Sequence, residues 1–186
     1  MRALVALLVA AARDAAAPQI RWSWSTVQTF AHCSNTTATD SYPFEPDMAA
    51  YFGSLPFVVI EKTQGAATPP ATAEAELKIG AAARQIMALN STAHVMAYYQ
   101  TDKARRWYAS GEWFSQRPEY LLRNSSGRLC AFPSSGPAGA VLPDYVYDYS
   151  QPAARAHWAD SLANMTAAGD IAGFFIDGPS NVDGWR

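Results

Sequence analysis

The chain has 186 residues, of which 49% are apolar and 16% charged, with a formal net charge of -2. That is enough apolar chain to bury one sizeable core. The near-balanced charge and the lack of a long basic run exclude the electrostatic attraction that nucleic-acid binding depends on, so no nucleic-acid partner is expected.

Arg2, the apolar run ALVALLVAAA (Ala3 to Ala12) and the small residues Ala15 to Ala17 read as a secretory signal over 1–17, leaving a mature domain over 18–186. A bilayer-spanning helix needs roughly 20 apolar residues, so a secreted or endomembrane-lumenal protein without a membrane anchor is expected. A frayed Ala-rich helix is the alternative. Four Asn-x-Ser/Thr triplets, at Asn35, Asn90, Asn124 and Asn164, fit export, since each is an acceptor for a solvent-facing glycan. Cys33 and Cys130 are the two cysteines. An oxidising compartment allows them to pair across a long loop, and two small buried thiols are the alternative.

Strands are predicted over Ser25 to Cys33, Pro56 to Thr63, His94 to Asp102 and Ile171 to Gly178, all short runs rich in β-branched and aromatic residues. Helices are predicted between them. Thr72 to Leu89 carries Ile79, Ala82, Ala83, Ile86 and Met87 at helical spacing behind Glu74 and Glu76, with Asn90 at its end. Pro152 to Ala168 has Ser150 or Gln151 as N-cap, Trp158, Leu162 and Met165 on one face, and Gly169 as its stop. Asp47 to Phe52 is a shorter candidate. Strand and helix alternate, and the strands are continuously apolar, which predicts an α/β fold with a parallel sheet and outer helices.

Polar residues end three of the four strands: Glu61-Lys62, Gln100 with Asp102, and Asp177. Parallel strands of a barrel would gather those ends around one cleft. In GDIAGFFIDGPSN, Phe174 to Ile176 belong in a core, Asp177 emerges at the rim and Gly178-Pro179 turns the chain away. Desolvation there would raise the Asp177 pKa, whereas a neighbouring cation would keep it ionised.

The segment VYDYSQPAARAHWADSLANMTAAGDIAGFFIDG (Val146 to Gly178) resembles the Y-D-x-S-x-P, helix, G-x-F-x-D pattern of glycoside hydrolases with a (β/α)8 barrel. WFSQRPEYLLRNSSGRL (Trp113 to Leu129) is similar to the segment that precedes that pattern in such proteins. The resemblance implies carbohydrate as the partner, cleavage of glycosidic bonds, no cofactor, and a catalytic role for Asp177. With four strands of an expected eight, it also implies the first half of a TIM-like barrel and a truncated chain, a whole barrel commonly taking about 250 residues.

Glycosidic hydrolysis usually uses two carboxyl groups. Besides Asp177 the chain offers Glu61, Asp102, Asp148 and Asp183, of which Glu61 and Asp102 best fit strand-end geometry. A salt bridge to Lys62 or Lys103 is the structural alternative for each. The interval from Asp102 to Val146 exceeds an ordinary connection and predicts an excursion at the cleft. It holds Trp107, Tyr108, Trp113, Phe114 and Tyr120, with Arg105, Arg106 and Glu112 as hydroxyl-binding candidates. Trp113 is the leading sugar-stacking candidate, followed by Trp185, with Tyr99 and His32 from the strands; a private core for the loop is the alternative for its aromatics.

His32, His94 and His157 share no metal-binding spacing, so no metal is expected. No phosphate-binding loop or Gly-x-Ser-x-Gly turn occurs. Two other function classes compete: a carbohydrate-binding protein without turnover, and a hydrolase that uses Asp177 as a metal ligand.

Overall fold

A computed structural model describes residues 29–67, 75–105, 108–135 and 141–178. The expected signal, Trp107, Asp183 and Trp185 lie outside the described residues. In chain order the elements are β1 (Phe30–Cys33), α1 (Pro46–Gly53), β2 (Phe57–Ile60), α2 (Ala75–Leu89), β3 (His94–Gln100), β4 (Lys103–Ala104), α3 (Ala109–Ser115), a 3-10 turn (Pro118–Tyr120), β5 (Ala131–Ser135), β6 (Val141–Val146), α4 (Pro152–Ala167) and β7 (Gly173–Asp177).

The main sheet has the order β1-β2-β3-β7, and every neighbouring pair is parallel. The register aligns Cys33, Ile60, Ala97 and Phe174 across it. Because side chains alternate along a strand, this row shares a face with Val58, Val95 and Tyr99. That face is the core. Phe52 of α1, Ile79, Ala82, Ala83 and Ile86 of α2, and Trp158, Leu162 and Met165 of α4 all pack with it. The alanines of α2 let its backbone lie close to the strands, which is what the helical spacing predicted. Helices therefore cover one face of a sheet whose strands follow chain order, the winding of a barrel wall rather than of a doubly wound sheet. The fold class is α/β with a four-stranded parallel sheet, consistent with a partial barrel.

The opposite face carries His32, Val59, Met96, Tyr98, Gly173, Phe175 and Asp177 by the same register. Among the described residues, this face keeps Phe30 65% exposed and Phe175 43% exposed.

The predicted excursion is present and has its own architecture. β4 and β5 pair antiparallel with β6 in a second, three-stranded sheet. Ala104, Phe114, Leu121, Tyr147 and Ala154 form a small core with Trp113, Tyr120 and Tyr149 around it. Arg105 ties this unit to the main sheet. It donates through Nε to Gln100 at the end of β3 and through Nη1 to the buried Asp144 on β6. Gly111 allows α3 to pass against the Arg105 backbone, since a Cβ there would lie 1.7 Å from the Arg105 carbonyl oxygen.

Glu76 supplies another tie, from the first turn of α2. Its carboxylate accepts from the Ala109 amide at 2.9 Å and the Ser110 amide at 3.3 Å, satisfying two donors at the start of α3. Burial pushes the Glu76 pKa up, opposed by those amide donors. Replacing Glu76 by Leu should orphan both amides and cost about 1–3 kcal/mol in urea unfolding. A raised folded-state pKa makes the Glu76 contribution complete below the ordinary glutamate value and lost as pH rises through the folded value. Stability of the wild type should therefore fall across that range, and Glu76→Gln should flatten the decline.

Candidate active site at the C-terminal strand ends

Parallel pairing sends the C-terminal ends of β2, β3 and β7 to one edge, and alternation then decides which side chains reach the open face there. Glu61 follows directly on β2, beside Tyr98 of β3 and Phe175 of β7, and Asp177 lies level with Gln100. The Tyr98 hydroxyl donates to Asp177 Oδ2. Lys62 Nζ sits 3.9 Å above the Tyr98 ring centroid and 2.8 Å from Glu61 Oε2. His32 Nε2 lies 3.0 Å from Glu61 Oε1, and the His32 ring stacks on Tyr98 at 5.6 Å. Phe175 completes the ring cluster, 5.5 Å from His32 and 5.9 Å from Tyr98.

This environment favours the charged form of Asp177. The Tyr98 hydrogen bond, helped by the Gly178 amide and by Lys62 and Lys103, holds the carboxyl below the usual aspartate range and outweighs partial desolvation. Asp177 is thus an ionised acceptor rather than a proton donor near neutral pH. Tyr98 is driven the other way, its pKa raised by burial and by the facing Asp177, so its proton stays on the phenol.

Glu61, His32 and Asp177 are brought together. Asp102 is near but differently placed. Its Oδ2 lies 3.5 Å from Lys103 Nζ, and its Oδ1 is buried without a hydrogen-bond partner. Gly178 presses on it: a Cβ at 178 would fall 2.7 Å from Asp102 Oδ1. Thr101 pins the same crossing, its amide donating to the Asp177 carbonyl at 3.0 Å and its hydroxyl to the Gly178 carbonyl at 2.5 Å. Asp102 therefore packs against the exit of β7, with its side chain only 10% exposed. Both lysine salt bridges weighed from sequence are formed. Asp148 accepts from the Ser150 amide and hydroxyl ahead of α4, away from the strand-end cluster.

Three expected site residues are placed elsewhere. Tyr99 is 1% exposed on the helix-covered face, bonded to Ser110 and packed against Tyr108, so it belongs to the core and not to substrate. Trp113 has one face against His157 at 3.8 Å and the other occupied by the Arg117 guanidinium and Tyr120, which leaves no face for a sugar ring. It serves the private core of the excursion. Arg105, a hydroxyl-binding candidate, is engaged by Gln100 and Asp144.

The disulfide is not formed: Cys33 and Cys130 are both free. Cys33 ends β1, where its Sγ points to the Val59 carbonyl at 3.7 Å and burial pushes its pKa up to about 12. Cys130 is buried beside β5 in the separate small sheet, with its amide on Leu122.

Among the glycan acceptors, Asn35, Asn90 and Asn124 each fold back so that Oδ1 accepts from the amide and hydroxyl two residues on. The Nδ2 groups of Asn35 and Asn90 are used on the Pro43 and Gly53 carbonyls. Asn124 and Asn164 are exposed, the latter in the last turn of α4.

Tyr98 and Lys62 are the site residues that sequence reasoning missed. A signal existed for Tyr98: it shares strand parity with Gln100, whose position at the strand end was already noted. Nothing local distinguishes the Lys62 contact with Tyr98 from an ordinary salt bridge to Glu61.

No protein-family model matches the chain, and no curated protein matches it. Among solved structures, it is similar to a noncanonic maltogenic alpha-amylase from Thermotoga neapolitana, at TM-score 0.48 and 13% identity over 84% of this chain. The chain spans 40% of the length of that structure.

Gly178 is testable by itself. It has φ +76, a left-handed conformation unfavourable for residues with a Cβ, in addition to the contact with Asp102. Gly178→Ala should cost about 2–3 kcal/mol in chemical unfolding, and in an Asp102→Ala background only about 1 kcal/mol, the backbone part alone.

Proposed function

We propose that the strand-end cluster is the reacting centre of a glycoside hydrolase-like protein that cleaves glycosidic bonds in a carbohydrate substrate. The observation that carries this reading is an ionised Asp177, held by Tyr98, on the same open face and the same edge as a second carboxylate, Glu61, paired with His32.

The chemistry follows from that asymmetry. Hydrolysis needs a proton delivered to the departing glycosidic oxygen and an ionised carboxylate for the other half of the reaction. Asp177 takes the second role. It removes a proton from water as the water oxygen bonds to the anomeric carbon, and the bond to the leaving oxygen breaks. Glu61 takes the first, protonating the leaving oxygen, with His32 Nε2 in contact with its carboxyl at 3.0 Å. β3 lies between the two carboxylate-bearing strands, so their backbones are roughly 10 Å apart by ordinary strand spacing. Side chains leaning toward Tyr98 then suit the wider separation of about 6.5–9.5 Å that leaves room for water, the arrangement of an inverting reaction.

The exposed rings of His32 and Phe175 beside Asp177 offer apolar surface for the C-H faces of a sugar. Export of the protein, with a cleaved leader and glycans on exposed acceptors, is part of the same proposal.

Asp177→Asn is the direct test, because it keeps the shape and removes the charge. Turnover of a panel of neutral oligosaccharides by the protein should fall by at least about 10³-fold, on the order of what loss of an essential acid-base group costs. Glu61→Gln should lower it similarly, while oligosaccharide binding by calorimetry persists in both. Undiminished turnover in Asp177→Asn would refute the reading, and sugar binding without turnover in the wild type would favour a binding protein instead.

A further inference from the structure

The two carboxylates are not independent in this geometry. Lys62 Nζ is bound to Glu61 Oε2 at 2.8 Å and lies 3.9 Å over the ring of Tyr98, whose hydroxyl holds Asp177. One cation and one phenol thus span β3 and connect residues that come from β2 and β7. The Lys62 side chain is only 15% exposed. An ammonium group against a ring face is attracted by the ring quadrupole, more strongly where water is excluded.

We propose that Lys62 and Tyr98 act together as positioning residues: Tyr98 fixes the Asp177 carboxylate, and Lys62, bound to Glu61 and seated over the Tyr98 ring, links the two carboxylates through that ring. The proposal rests on the reading of Asp177 and Glu61 as the reacting pair, and it adds how their different states are maintained.

Several groups face this arrangement. From the end of β1, His32 bonds Glu61 and stacks on Tyr98. From β4, Lys103 also lowers the Asp177 pKa, while its own nearest carboxylate is Asp102. Arg105 acts on Tyr98 from the start of the excursion but is bound to Gln100 and Asp144. Lys62 is the cation among these that touches both the Glu61 carboxylate and the Tyr98 ring.

Such a link makes a specific physical difference. With Lys62 in place, protonating Glu61 releases the ammonium from its closest anion and leaves more of its field to Asp177. Proton uptake at one carboxylate therefore strengthens the ionised form of the other, which is the division of labour that the proposed reaction requires. Without that link the two carboxylates would influence each other only through their direct repulsion.

The test is titration of the Asp177 side-chain carboxyl carbon by NMR in the whole protein, with selectively labelled aspartate and no substrate. Tyr98→Phe should raise the Asp177 midpoint. Lys62→Gln should raise it as well, and Lys62→Arg should restore most of the shift. Glu61→Gln should lower the Asp177 midpoint further. Because Lys62→Gln and Tyr98→Phe report separately, a variant that fails to fold by circular dichroism leaves the other to decide. On an active substrate, Tyr98→Phe should cut kcat/KM roughly 10- to 100-fold, the range of one hydrogen bond to a charged group, and move the acid limb of its pH profile upward.

An Asp177 midpoint unmoved by Lys62→Gln, or unmoved by Tyr98→Phe, would overturn the proposal. Because the titration needs no turnover, shifts of the expected sign without hydrolase activity would refute the functional reading while leaving the coupling in place.

Discussion

The register of β3 against β7 is the constraint on which the rest depends. It sets Ala97 beside Phe174 and Gln100 beside Asp177, and through strand alternation assigns Tyr98 to the open face and Tyr99 to the core. A shift of β7 by one residue would carry Asp177 under the helices and expose Phe174. The apolar row of Ile60, Ala97, Tyr99 and Phe174, packed against α2 and α4, opposes such a slip, since it would bury charge without compensating partners. The site is thus positioned by the core on the other side of the same strands.

Much of this arrangement was legible in the chain. The four strands and three helices lie where period and capping place them, within a few residues, because those signals are local and the packing agrees with them. β1 is described from Phe30 to Cys33, within the longer run expected. The gathering of Glu61 and Asp177 at one edge followed from their positions after apolar runs. The face assignment did not follow so easily. Tyr98 and Tyr99 are adjacent, alike in chemistry and both largely buried, so composition could not separate them; counting parity from Gln100 would have.

The aromatic excursion shows a second limit. Trp113 looked suited to stacking on sugar because a flat side chain in a long connection is available until something covers it. What covers it is His157, more than forty residues later, with Arg117 on the opposite side. Those contacts depend on how α3 meets α4, which no local pattern encodes. The cysteines fail as a pair for a similar reason: one ends a strand of the main sheet and the other lies in the small antiparallel one. In both cases the residue type was compatible with the role, and the tertiary arrangement used it otherwise.

Placement of the two tyrosine rings tests the register most directly, by aromatic nuclear Overhauser effects in the folded protein. Tyr98 ring protons should show contacts with the rings of His32 and Phe175, and Tyr99 ring protons with those of Trp158 and Phe174. Contacts exchanged between the two, with Tyr99 beside His32 and Tyr98 beside Trp158, would take the Tyr98 hydroxyl away from Asp177 and contradict the site described.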